Sequence, residues 1–223
     1  MTPRSEFNPN GNPSRKRGAS PARLDFIRFL LESGALRFGD FTLKSGARSP
    51  FFINLGDVRT GAHLKFLGEA LARALRESFP DVNLLFGPPY KGIALVTAAA
   101  IGWSNLFDGE LSTVYSRKER KDHGERGSFV GELPGPSDRV VIVDDVMSSG
   151  GTKLEAIDLL SNSLGVRAQG ILVCVDRTQA GFSIGRPDLR VESLVTLTDL
   201  IDHLKSEGDP RHQAMRDFYE GRS

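Results

Sequence analysis

Apolar side chains recur along this chain in two alternating rhythms. Leu24, Ile27, Leu30 and Leu31 fall at helical spacing, and Gly34 ends that helix. Residues 35–41 and 51–54 read as short strands. Leu64, Leu67, Leu71, Ala74 and Leu75 mark a second helix that stops near Pro80. Residues 82–86 read as a buried strand, Gly87-Pro88-Pro89 turns the chain, and residues 93–101 suit a helix packed on its alanine-rich face. A strand over 111–115 precedes a charged, glycine-containing stretch, 116–128, with nothing apolar until Phe129. Val140-Val141-Ile142-Val143 is an apolar run rich in β-branched residues, the pattern of a central parallel strand covered on both faces. Leu154, Ile157, Leu160 and Leu164 set the next helix. Residues 169–176 and 190–197 predict further strands, and a helical stretch closes the chain.

Strands alternating with helices predict an α/β fold: a central, mostly parallel sheet with helices on both faces. No internal repeat interrupts it. Sheets of this kind bind ligands beyond the carboxyl ends of their strands, so the chemistry is expected after Phe86, Tyr115, Val143 and Val175.

Composition narrows the class. The 223 residues carry 29 Lys+Arg against 28 Asp+Glu, with 39% hydrophobic and 26% charged residues. This excludes collagen-like, disulfide-framework and wholly disordered chains. The near-neutral charge argues against a protein that coats nucleic acid. The single Cys174 allows no internal disulfide, so a reducing, cytoplasmic setting is expected. The longest uncharged run, 92–107, is shorter than the roughly 20 residues of a membrane span, and no secretory h-region is visible. Residues 1–22 differ from the rest: four prolines, the cluster Arg15-Lys16-Arg17 and almost no apolar side chains predict a flexible basic tail before one domain over 23–223.

The strongest chemical signal follows the central strand: Asp144-Asp145-Val146-Met147-Ser148-Ser149-Gly150-Gly151-Thr152. Two carboxylates end the strand, a Ser/Gly/Thr loop comes next, and a helix starts. Glycines let backbone N–H groups close around an anion, hydroxyls add donors, and the helix points its positive end inward. Neither a Walker loop nor a Gly-x-Gly-x-x-Gly turn is present. Acids placed before a monophosphate cradle suit a sugar phosphate, because they accept hydrogen bonds from vicinal hydroxyls. An isolated Asp-Asp would more simply be a helix cap; the whole string, at the end of a buried strand, favours a ligand.

This string resembles the 5-phosphoribosyl 1-diphosphate (PRPP) motif of the type I phosphoribosyltransferases. The resemblance implies that fold, with a small N-terminal hood and a flexible catalytic loop. It also implies that Asp144 and Asp145 contact the ribose hydroxyls while Val146, Met147, Ser148, Ser149, Gly150, Gly151 and Thr152 form the loop around the 5-phosphate. The charged segment Arg117-Lys118-Glu119-x-Lys121-Asp122-His123-Gly124-Glu125 is similar to the catalytic loop of the orotate phosphoribosyltransferase branch. Alone it would be a solvated surface loop. The resemblance implies that Arg117, Lys118, Lys121 and His123 contact the diphosphate. It further implies a homodimer whose loop reaches into the partner's site, Mg2+ bound with PRPP, and no nucleic-acid or membrane partner.

Three smaller segments extend the likeness. Phe41-Thr42-Leu43-Lys44-Ser45-Gly46 leading to Ser49-Pro50-Phe51-Phe52 resembles the family's N-terminal signature. It implies Lys44 beside the substrates and Phe52 lining the base pocket, with Ile53 where many members carry a second aromatic. Gly87-Pro88-Pro89-Tyr90-Lys91-Gly92 is similar to the diphosphate-binding loop, with Tyr90 and Lys91 at the site. Arg177 matches the orotate-contacting arginine, and a guanidinium fork suits a carboxylate. The implied reaction joins orotate to PRPP, giving orotidine 5'-monophosphate and diphosphate for UMP synthesis, with Lys121, His123, Asp144 and Asp145 as the catalytic set. A transferase for uracil or a purine, and a non-catalytic PRPP sensor, are the competing readings. A carboxylated base suits Lys44 and Arg177 better, and a sensor needs no cationic closing loop. His63, His203 and His212 lack ligand spacing, Cys174 reads as a core thiol and Trp103 as packing.

Overall fold

The computed structural model describes residues 20–43, 46–117 and 129–222. Lys44 and the catalytic-loop residues Lys118, Lys121 and His123 lie outside them. The chain opens with α1 (Pro21–Glu32), which starts with Pro in its first turn, where a missing N–H costs nothing. Pro21 and Ala22 therefore belong to a helix and not to the expected tail. Arg23, one turn in, is ion-paired with Asp199, far along the sequence.

The strands β1 (Leu36–Thr42) and β2 (Arg48–Ile53) form a separate antiparallel hairpin, with a register shift between Phe38 and Phe41. Next come α2 (Gly61–Ser78), β3 (Leu84–Gly87), α3 (Lys91–Leu106), β4 (Ser112–Ser116) and β5 (Phe129–Gly131). The chain continues through β6 (Val140–Met147), α4 (Gly151–Leu164), β7 (Ala168–Asp176), β8 (Arg190–Thr196), α5 (Leu197–Ser206) and α6 (Arg211–Tyr219).

The main sheet has the order β5-β4-β3-β6-β7-β8. All its pairings are parallel except β4 with β5, an antiparallel edge strand that periodicity did not reveal in a three-residue segment. Successive side chains of a strand face opposite ways. In β6, Val141 and Val143 join the core layer of α1, α2, α3 and α5, whereas Val140 and Ile142 join the layer of α4. All four are fully buried, the outcome expected for a central strand.

The helical stretch at the end resolves into two helices. α5 begins with a capping box, Thr196 and Asp199 bonding each other's backbone N–H, so β8 ends at Thr196 and not within the apolar residue that follows. α6 packs on the hairpin: Phe218 meets Phe51 edge-on at 5.2 Å, and Arg211 lies 4.0 Å over the Phe38 ring. Trp103 is 4% exposed and stacks edge-on to Phe107, as a packing residue should.

The two helices α2 and α3 touch backbone to backbone. A Cβ on Gly102 would sit 2.5 Å from the Gly68 carbonyl, and one on Gly68 would sit 2.2 Å from the Ala98 oxygen. Replacing Gly102 with Val is therefore expected to force the helices apart and cost about 2 kcal/mol or more. A urea melt checks it: the midpoint should fall with the slope preserved. An unchanged midpoint would contradict the close approach.

Candidate functional site

Parallel register sets the site. Phe86 of β3 lies beside Ile142 of β6, Gly87 beside Tyr115 of β4, and Met147 of β6 beside Asp176 of β7. The carboxyl ends of four strands thus share one edge. From that edge the chain releases Gly87–Lys91, Arg117, Asp144–Thr152 and Arg177 in turn.

The acid pair ends β6 in two different environments. Asp144 is 6% exposed, and Lys153 Nζ stands 2.6 Å from its Oδ2. Its Oδ1 accepts the Asp145 N–H at 2.9 Å. Burial raises the Asp144 carboxyl above the ordinary carboxylate value; Lys153 opposes that shift and Asp145 adds to it. Asp145 lies further out. Its Oδ2 is 2.6 Å from Lys91 Nζ, across the gap from the loop after β3, and its Oδ1 accepts the Val146 N–H at 2.8 Å. Each acid therefore has its own lysine: a buried one beneath and an exposed one opposite.

Beyond the acids, Ser148, Ser149, Gly151 and Thr152 are exposed around the N-terminus of α4. Gly150 is the turning point. Its φ of +77° is a left-handed conformation that favours glycine, and an added Cβ would come 3.2 Å from Ile184. The backbone at this corner is free to turn its N–H groups toward an anion. Val146 and Met147 act differently: Met147 is 1% exposed and packs in the α4 core layer, so its share in the loop is its backbone, whose carbonyl accepts the Arg177 N–H at 3.0 Å.

The loop after β3 is tight. A Cβ on Gly87 would lie 2.5 Å from the Gly92 carbonyl oxygen, and one on Gly92 would lie 2.7 Å from Pro88. Glycine at both positions lets the chain double back, so that α3 starts at Lys91 and presents it to Asp145. Tyr90 stands at the rim, 66% exposed, after a cis peptide bond from Pro89.

Arg177 is held between aromatic rings, with its guanidinium 5.7 Å from the centroids of both Phe51 and Phe218. Burial pulls its pKa below the usual arginine value, and its Nε has no hydrogen-bond partner among the described residues. A part-buried cation of this kind is suited to a planar anionic ligand. The hairpin supplies Phe52, stacked on Phe41 at 5.5 Å with Arg37 5.6 Å over the ring. The shared pocket expected of Phe52 and Ile53 requires a correction. Adjacent residues of a strand point to opposite faces: Ile53 packs 5% exposed in the core on the face of Phe51, whose ring lies under Arg177, and Phe52 is carried by the other face. The two side chains do not line one wall.

Sequence reading missed Lys153. It occupies the third position of α4, where a cation opposes the helix dipole, a disfavoured placement by about 0.3–1 kcal/mol. It also shares the spacing of the buried residues Ile157 and Leu160. A lysine on the core stripe of a helix that opens beside two acids was the available signal. Cys174 is fully buried, and burial with Asp145 and Asp144 nearby pushes its thiol well up, so it is inert as expected. Among the described residues no group of three or more His, Cys, Asp or Glu side chains is gathered to hold a metal ion.

Known proteins resemble this chain. The family model for the phosphoribosyl transferase domain matches residues 60–208. An orotate phosphoribosyltransferase of Lachnoclostridium phytofermentans is 37% identical over 88% of this chain and 95% of its own length. That of Ruthia magnifica is 40% identical over 87% and 96%. The crystal structure of the Francisella tularensis orotate phosphoribosyltransferase superposes with a TM-score of 0.74 at 27% identity, covering 90% of this chain and 95% of that one. A family model matching residues 60–208, with relatives 37–40% identical over most of the chain, shows that the chain belongs to the phosphoribosyltransferases and, among them, to the orotate phosphoribosyltransferase family.

Proposed function

We propose that this chain transfers the 5-phosphoribosyl group of PRPP to orotate, giving orotidine 5'-monophosphate and diphosphate in the synthesis of UMP. The observation that carries the reading is the 2.6 Å contact of Lys91 with Asp145. It brings the loop assigned to diphosphate beside the acids assigned to ribose, and a substrate carrying diphosphate on ribose C1 needs both on one side.

The reaction forms a bond from orotate nitrogen to ribose C1 and breaks the bond from C1 to the diphosphate oxygen. As diphosphate leaves, positive charge grows on the ribose ring and negative charge on the leaving group. No covalent nucleophile is needed, so catalysis consists of positioning and electrostatic stabilisation. The exposed N–H groups and hydroxyls of residues 148–152 grip the 5-phosphate. Asp144 and Asp145 accept the ribose hydroxyls and lie where positive charge develops. Lys91, with Tyr90 at the rim, takes diphosphate and in doing so exchanges its bond to Asp145 for one to substrate. Arg177, part-buried over the rings of Phe51 and Phe218, meets the carboxylate of orotate. The family resemblance assigns Lys44, Arg117, Lys118, Lys121 and His123 to the leaving group, with His123 as proton donor to it.

Mg2+ would arrive with PRPP and would offset part of the diphosphate charge. The site suits this form of delivery: Mg2+ keeps its waters and binds phosphates more readily than all-protein cages. The active unit in this reading is a cytoplasmic homodimer with the catalytic loop shared between subunits. No helix among the described residues is long and apolar enough to cross a membrane.

The decisive experiment adds PRPP and Mg2+ to protein and orotate and follows the fall in orotate ultraviolet absorbance, with uracil and adenine as controls. Consumption of PRPP with either control in preference to orotate would overturn the assignment. Lys121→Ala is expected to lower kcat by about a hundredfold or more with only a small change in the KM for PRPP; an unaltered turnover rate would remove the loop from the reaction. The double change Asp144→Asn with Asp145→Asn should abolish turnover while circular dichroism reports an intact fold. Full activity in that protein would refute the ribose contacts.

A further inference from the structure

Lys153 lies beneath the acid pair and has no part in the reaction as described. Its Nζ donates to Asp144 Oδ2 at 2.6 Å and to the Val146 carbonyl at 2.5 Å. Those two acceptors flank Asp145. Asp144 Oδ1 in turn accepts the Asp145 N–H, and Asp145 Oδ1 accepts the Val146 N–H. One ammonium therefore closes a ring of hydrogen bonds around residues 144–146. The ammonium itself is carried by the first turn of α4, the same turn that ends the phosphate loop at Thr152.

We propose that Lys153 is a positioning residue that fixes the spacing between the ribose-binding acids and the 5-phosphate loop, acting through Asp144. This rests on the PRPP reading given above. The two anchor points of ribose 5-phosphate come from different elements, the end of β6 and the start of α4, joined by an exposed loop with a glycine at its corner. Such a loop leaves their separation free to drift. Lys153 spans the base of the loop and removes that freedom. A bond that served only stability would not need to be ionic, since a well-packed apolar pair in place of a buried ion pair is commonly as stable. The ion pair stands where a carboxylate must keep its charge and its orientation.

The test compares wild type, Lys153→Met, Asp144→Asn and the double variant, with kcat and both KM values measured for each and thermal melts alongside. Lys153→Met should raise the KM for PRPP about tenfold or more while the KM for orotate stays within about twofold. A general loosening of the fold would move both. Adding Lys153→Met to Asp144→Asn should change the KM for PRPP by less than about twofold, since the lysine then has no carboxylate to orient. The double variant should also recover most of the melting temperature lost by the single variants without recovering PRPP affinity. A folded Lys153→Met protein with wild-type kinetics overturns the proposal. So does a further loss of more than about fivefold when Lys153→Met is added to Asp144→Asn, which would mean the lysine acts on substrate independently of Asp144. If Lys153→Met does not fold, this second comparison, made between proteins without the buried carboxylate, decides. Calorimetric titration with Mg2+–PRPP reads the same differences without turnover, so a wild-type protein inactive on orotate would refute the base assignment and leave the role of Lys153 still measurable.

Discussion

A carboxylate at the end of a fully buried strand must find a counter-charge. Asp144 follows four residues with no exposure, and water reaches it poorly. Left unpaired, it would protonate or unfold the end of β6, since breaking a buried ion pair by losing one partner costs about 3–5 kcal/mol. Lys153 meets that demand from the helix that follows. The connection between β6 and α4 is thereby tied at its base, and only then can the loop between them project as an open, exposed cradle. Most of the site's geometry depends on this single bond.

The remaining loops are organised around it. Lys91 arrives because the glycines at 87 and 92 allow the chain after β3 to fold back on itself. Arg177 arrives because its N–H is bonded to the Met147 carbonyl, linking the loop after β7 to the loop after β6. Its guanidinium is then gripped by Phe51 of the hairpin and Phe218 of the last helix. The hairpin is not paired to the main sheet. It is held by α1 and α6, so the C-terminus of the chain supports a wall of the mouth built near its N-terminus. The site consequently has one rigid floor, the strand ends and α4, and a hood assembled from distant pieces.

Much of the architecture was legible along the chain because its signals are local. The run of β-branched residues before Asp144, the helical spacing of Leu154, Ile157 and Leu160, and the glycines of the cradle each report on their own neighbourhood. The edge strand β5 was not legible: three residues carry no period, and its pairing with β4 exists only once the sheet is formed. Ile53 misled for a related reason. Position beside Phe52 in sequence suggested a shared pocket, yet pleating sends neighbouring side chains to opposite faces, and the core claimed Ile53.

By itself the sequence determined the order of elements, the strand that delivers two acids to an anion loop, and the cations and aromatics available to a phosphorylated sugar and a flat, charged base. Tertiary structure alone decided which lysine serves which acid. Lys91 is 54 residues before Asp145 and Lys153 is only a helical turn beyond the loop, and nothing in either local sequence distinguishes a partner that opposes from a partner that underlies. That distinction depends on burial, and burial is a property of the packed sheet and helices, not of any segment read alone.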